Sequence, residues 1–190
     1  MSKRYKELVQ QLEQCLEHNR LVIAAIDGPS GSGKTVLAEK LRQHFDANVF
    51  HMDDFFLRPE QRTKARLQEP GGNIDYERFK AEVLDWIGSG EPFAYQIYDC
   101  AVEQLTDYVH VLPRRLNIVE GVYSMHPALI DSYDIKIYLT VGRNVQLERI
   151  RLRSGERMLK RFVEEWIPLE DHYFQTFNPA KLADFVLDNN

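Results

Sequence analysis

Residues 27–35 read Asp27-Gly28-Pro29-Ser30-Gly31-Ser32-Gly33-Lys34-Thr35, directly behind the apolar run Leu21–Ile26. The stretch fits the pattern Gly-x-x-x-x-Gly-Lys-Ser/Thr, and its position matters as much as its letters. A buried strand that turns through glycines into a helix aims successive backbone N–H groups at one spot. Lys34 adds a mobile positive charge there, and the Thr35 hydroxyl can ligate Mg²⁺ beside the phosphates. The apolar strand before the loop and the amphipathic stretch Val36–Phe45 behind it supply the context this pattern needs. A glycine-rich turn ending in Lys-Thr by coincidence would usually lack both. These residues imply binding of a nucleoside triphosphate.

On either side of the loop, strand-like and helix-like segments alternate. Tyr5, Leu8, Val9, Leu12 and Leu16 recur at helical spacing and predict an N-terminal amphipathic helix over about 3–18. A short strand, Asn48–Met52, follows the loop helix, and Phe79, Val83, Leu84 and Ile87 mark another helix closed by Gly88-Ser89-Gly90. Phe93–Asp99 and Tyr108–Leu112 predict a short antiparallel edge pair. Leu116–Val119 and Ile135–Val141 are short, largely apolar runs, as in strands covered on both faces. Helices Asn144–Arg153 and Arg157–Phe174 and a last strand Phe185–Leu187 complete the order. Leu57–Gly72, rich in Arg, Gln, Pro and Gly, reads as a mobile or inserted loop. The alternation predicts an α/β fold with a mostly parallel sheet and a site at the strands' C-terminal ends.

A chain of 190 residues, 44 % of them hydrophobic, suits one domain spanning 1–190 with a good-sized core. Its 24 basic against 29 acidic residues argue against a nucleic-acid sheath or a polybasic membrane anchor. No apolar run nears membrane-spanning length, and Lys3–Asn19 is too charged for a signal peptide. The expected setting is therefore the cytoplasm, without nucleic-acid or membrane partners. Cys15 and Cys100 match no metal or redox spacing and are expected as buried thiols. The N-terminal helix can cover the core or a second copy, which leaves a homo-oligomer open.

Three further features bear on chemistry. The second strand runs out into His51-Met52-Asp53-Asp54-Phe55-Phe56. An aspartate beside a phosphate loop can orient a hydroxyl and accept its proton. Adjacent residues of extended chain point opposite ways, so one of the two aspartates is expected to face the site. The strand Leu116–Val119 ends in Glu120-Gly121, an apolar run with a terminal acid of the kind that holds Mg²⁺ directly or through water. Arg149, Arg153, Arg157 and Arg161 recur every four residues, and Gly155 interrupts them. Such a hinged arginine column suits a lid over a triphosphate; as a solvated face it would instead pair with Glu148 and Glu156. Asp75 and Tyr98-Asp99 could each be no more than turn residues.

In order and spacing these elements resemble the uridine kinase and phosphoribulokinase family of P-loop kinases, whose relatives include pantothenate kinases. The resemblance runs from about Leu21 to Leu187 and is carried by Gly28–Thr35, Met52-Asp53-Asp54-Phe55-Phe56 and Asn73-Ile74-Asp75. Tyr98-Asp99, Ile118-Val119-Glu120-Gly121 and the arginine-rich Arg149–Arg157 continue it. It implies a P-loop NTPase three-layer α/β/α fold with a lid at about 149–161, ATP and Mg²⁺ as cofactors, and a small-molecule hydroxyl as substrate. Asp53, Lys34 and Arg153 are then the expected catalytic residues. Gly28, Pro29, Ser30, Gly31, Ser32, Gly33, Lys34, Thr35, Arg153 and Arg157 would bind ATP. Asp53, Asp75, Tyr98 and Arg149 would bind substrate, with Asp75 on sugar hydroxyls and Tyr98 on the nucleoside; Thr35 and Glu120 would hold Mg²⁺.

Departures from the pattern widen the substrate range. Glu103 stands where uridine kinases carry a base-contacting histidine, Gln146 where an arginine is expected one turn before Arg149, and Leu57–Gly72 has no clear counterpart. Another nucleoside, or a pantothenate- or sugar-phosphate-like alcohol, therefore stands beside uridine. A nucleoside monophosphate kinase would need arginines in the substrate pocket, and Arg58, Arg62 and Arg66 form the only cluster before the lid. A GTPase or assembly factor would carry Asn-Lys-x-Asp, which is missing. Its Asp-x-x-Gly occurs only as Asp85-Trp86-Ile87-Gly88, at a helix end.

Overall fold

The computed structural model describes residues 3–19 and 21–190. Helix α1 (Lys3–His18) precedes β1 (Val22–Asp27), the glycine loop and α2 (Lys34–Phe45). Strand β2 (Asn48–His51) runs into a 3₁₀ turn, Met52–Phe55; a second 3₁₀ turn (Pro59–Gln61) and a short α3 (Lys64–Gln68) follow. Helix α4 (Tyr76–Phe79) continues through a π-helical turn, Lys80–Leu84, into α5 (Asp85–Ile87). The hairpin β3 (Phe93–Asp99) and β4 (Gln104–Val111), then β5 (Leu116–Glu120) and β6 (Ile135–Thr140), come next. Helix α6 (Arg143–Arg161), a π-helical turn (Phe162–Trp166), α7 (Ile167–Phe177), α8 (Pro179–Leu182) and β7 (Phe185–Asp188) close the order.

Five parallel strands form one sheet in the order β2-β5-β1-β6-β7, and β3 and β4 form a separate antiparallel pair. The sheet is the middle of three layers, as alternate residues of β1 show. Val22, Ala24 and Ile26 pack with Leu8 and Leu12 of α1 and Leu37 and Leu41 of α2. Ala25 faces the other side, with Phe50, Phe55, Phe79, Val83, Tyr95 and Tyr173. Every residue of β5 is buried, which accounts for its mostly apolar letters; the two polar ones, Asn117 and Glu120, are hydrogen-bonded. Adjacent central strands β1 and β5 deliver their C-terminal ends side by side, and β2 flanks β5.

Several boundaries differ from the sequence reading. Strand β4 starts at Gln104, four residues before the apolar stretch, because Glu103 takes the left-handed turn (φ 54°) and lets Gln104 and Leu105 pair with Asp99 and Tyr98 of β3. The break expected at Gly155 is present, by contrast: its φ of 80° and ψ of 168° are non-helical and kink α6 into two helical segments. Asp53 and Asp54 lie on a helical turn rather than on extended chain. Cys100 is exposed and Cys15 half-buried, so neither is the fully buried thiol expected.

Segment 57–72 is not loose. Arg66 alone donates to the Gly72 and Ile74 carbonyls (3.0 and 2.9 Å), the Tyr76 hydroxyl (2.9 Å) and both oxygens of Glu77 (2.7 Å each). A guanidinium's planar fork of donors staples irregular chain in this way, where composition alone suggests mobility.

Candidate active site

The loop owes its shape to three residues that only glycine suits. Gly28 (φ 143°) packs so tightly on β6 that a Cβ would sit 2.3 Å from the Leu139 carbonyl oxygen. Gly31 (φ 76°) and Gly33 (φ 94°) occupy the left-handed region, the latter at the N-terminal cap of α2. Lys34, almost fully buried, folds its Nζ back onto the Gly28 and Pro29 carbonyls at 2.8 and 3.1 Å. Its charge therefore stands at the centre of the loop. Beneath it, the wholly buried Asp27 accepts from the Gly28 and Met125 amides (2.6 and 3.0 Å) and from the Tyr173 hydroxyl (2.8 Å). Burial pushes its carboxyl above the ordinary aspartate range despite those donors.

The ends of β2 and β5 meet beside the loop. The Glu120 carboxylate accepts from the Thr35 hydroxyl at 3.1 Å and from His51 Nδ1 at 2.6 Å. The bond to Glu120 raises the His51 pKa against the opposing effect of burial. Gly121 (φ 145°) lets the turn carrying Asp53 lie against β5, since a Cβ there would come within 2.6 Å of Met52 Cβ. Asp53 is open to solvent on one side yet ringed by charged groups: Lys34, Glu120, His51 and Arg153 all act on it. Crowding by protein raises its carboxyl pKa, and Lys34 pulls the other way. Asp54 points elsewhere, accepting from the Tyr95 hydroxyl at 3.1 Å.

The arginine column is split by the bend at Gly155. Arg149 donates to the Gly31 carbonyl at 3.2 Å, joining α6 to the loop. Arg153 stacks 5.7 Å from the Phe162 ring centroid and acts on Asp53. Arg157 has no hydrogen bond or ion pair within the described residues. Arg161 turns away to Glu165 at 2.9 Å. Glu148 and Glu156 pair with Arg151 instead, at 2.6 and 3.5 Å, so the column is not a solvated face neutralised by them.

No family model matches the sequence. A uridine kinase of Oceanobacillus iheyensis is 25 % identical over 182 residues, covering 87 % of this chain and 85 % of the relative. A uridine kinase of Latilactobacillus sakei is 28 % identical over 187 residues, covering 87 % and 84 %. Among solved structures, a possible uridine kinase from Bacillus stearothermophilus superimposes with a TM-score of 0.73 at 22 % identity, covering 97 % of each chain. In sequence and in fold, then, this chain is similar to uridine kinases.

The remaining residues singled out from the sequence have protein partners of their own. Asp75, buried, caps α4 by accepting from the Arg78 amide at 3.0 Å, and its other oxygen accepts from Gln61 Nε2 at 2.7 Å. Its turn-residue role is thus realised. Tyr98 ends β3 with its hydroxyl accepting from Arg62 Nη2 at 2.7 Å. Arg58 is spent on Gln61 and Glu60, as Arg66 is on Glu77. The Asp85–Gly88 stretch forms α5, where Asp85 pairs with Lys80 at 2.7 Å.

Three residues of the candidate site were not foreseen. His51 was quoted as part of the strand end but given no role. Glu170 of α7, buried, accepts from the Ser30 amide and hydroxyl at 3.0 and 2.5 Å, a contact 140 residues apart in sequence with no local signal. Tyr123, also buried, is held at φ 74°, a strained conformation for an aromatic residue, two residues beyond Gly121. Only its place just after Glu120-Gly121 could have drawn attention to it.

Proposed function

We propose that this kinase uses ATP and Mg²⁺ to phosphorylate a hydroxyl group of a small molecule, a nucleoside in the first instance. The observation that carries the reading is the convergence of Lys34, the Thr35–Glu120 pair and Asp53 at adjoining strand ends. Thr35 and Glu120 offer two neighbouring oxygens, the donor chemistry that suits a hard divalent cation. Mg²⁺, when bound there, supplies neutralisation of charge on the β- and γ-phosphates. Lys34 leaves its two loop carbonyls to reach the same phosphates, and the amides of Gly31–Thr35 cradle them. Asp53 orients the substrate hydroxyl and takes its proton, while Arg149 and Arg153, with Arg157, close from α6 as a lid that excludes water. A groove of about 650 Å³ runs from Gly33 along α2, between Val36 and Lys40 on one wall and Leu187–Asn189 on the other. It offers a path for the nucleotide's base.

The relatives' names favour a nucleoside, although a candidate fructose transport system kinase from Silicibacter superimposes almost as well, with a TM-score of 0.72 at 21 % identity. The monophosphate-kinase reading loses support because Arg58 and Arg66 are committed elsewhere. Incubation with γ-labelled ATP and a panel of nucleosides, pantothenate and sugar phosphates tests the proposal. Label in at least one alcohol is expected; ATP binding with no labelled alcohol across the panel would overturn it.

A further inference from the structure

Two consecutive residues of segment 57–72 reach Asp75 and Tyr98, the groups expected to bind substrate. Gln61 holds Asp75 at 2.7 Å, and Arg62 holds Tyr98 and Glu103 at 2.7 Å each. Arg62 is itself fixed from behind, its Nε donating to the Leu57 carbonyl at 3.0 Å. A guanidinium has five N–H groups. Three are engaged here, and the other two have no partner among the described residues. The Tyr98 hydroxyl accepts from Arg62, so its own proton is also available as a donor. Glu103 is a weak competitor, being half exposed at the hairpin tip, where an ion pair is easily broken.

We propose that Arg62, with the Tyr98 hydroxyl, forms a donor wall that selects the alcohol substrate by binding an oxygen acceptor at the end away from its reacting hydroxyl. That acceptor is a carbonyl of a nucleobase or a carboxylate of an acidic alcohol; both offer lone pairs in one plane, which a fork of donors matches. The residue thus sets substrate choice, while Asp53 and the loop carry out the transfer. The inference rests on the kinase reading for the identity of the cleft.

The test is calorimetric binding of uridine and of pantothenate, each in the presence of a non-hydrolysable ATP analogue, alongside turnover of each. Arg62→Ala is expected to weaken the bound probe about tenfold or more, the loss of a charge-assisted bond, with affinity for the analogue unchanged. Uridine as the responding probe assigns a carbonyl, pantothenate a carboxylate. Glu103→Gln leaves Arg62 in place, removes its competitor and should tighten the same probe about threefold. It carries the test should Arg62→Ala fail to fold. A probe that binds both variants as it binds the wild type, or a wild type that binds neither probe, overturns the donor wall. Binding that follows the prediction without turnover would instead indict the kinase reading.

Discussion

In the proposed reaction Lys34 and Asp53 divide the work at the site, one holding phosphate and the other addressing the hydroxyl. Lys34→Ala should weaken ATP at least about tenfold, the cost of one charge-assisted contact, read directly by calorimetry. The pH dependence follows from Asp53. Crowding holds its pKa above the usual aspartate value, and the base works only when ionised. The acid limb of kcat/KM should therefore fall at a pH higher than an ordinary aspartate would give, and Asp53→Glu should shift it. His51 makes a separate, stability-linked prediction. Its folded pKa lies above its ordinary 6.5 because it donates to Glu120. The stabilisation is then complete below that value and is lost as pH rises through the folded pKa. The Tm difference between the wild type and His51→Gln should shrink from pH about 6 to about 9; a constant difference would show that the bond is not charge-linked.

Helix α6 bends at Gly155, whose φ and ψ belong to a region open almost only to glycine. Nothing lies within 4 Å of the place a Cβ would take, so Gly155→Ala is opposed by backbone strain alone, roughly 1–3 kcal/mol. The helix relieves that strain by straightening, which redirects the segment carrying Arg157 while Arg149 keeps its place on the Gly31 carbonyl. Turnover should drop with little change in Tm, and equal turnover would remove the bend from the mechanism. The hinge was legible because a glycine interrupts a four-residue arginine repeat. The tie-down of 57–72 was not: Arg62 and Arg66 find partners on α4 and on the hairpin, and no local pattern announces such contacts. Asp75 illustrates the same limit, since its letters suit a cap and a ligand equally, and the Arg78 amide and Gln61 settle its present partners.

Across the molecule, the sheet order brings β1, β5 and β2 together, so the loop, Glu120 and Asp53 meet although 93 residues separate the first and last of Asp27–Glu120. That much was readable, because largely apolar runs and a glycine loop allow few other packings. Contacts from α7 onto the loop were invisible, as Glu170 and Tyr173 look like ordinary helix residues until the layers assemble. Helix α1 belongs to the same core: Leu12 is fully buried, and Leu12→Ala should cost about 2–5 kcal/mol in denaturant unfolding. The account as a whole stands on transfer of the γ-phosphate to an alcohol primed by Asp53. Its most direct test is the rate of label transfer from γ-labelled ATP to the best alcohol by the wild type and by Asp53→Asn, with ATP affinity measured in parallel. The expected result is unchanged affinity with transfer slowed roughly 10²–10⁴-fold. Full transfer by Asp53→Asn would contradict it.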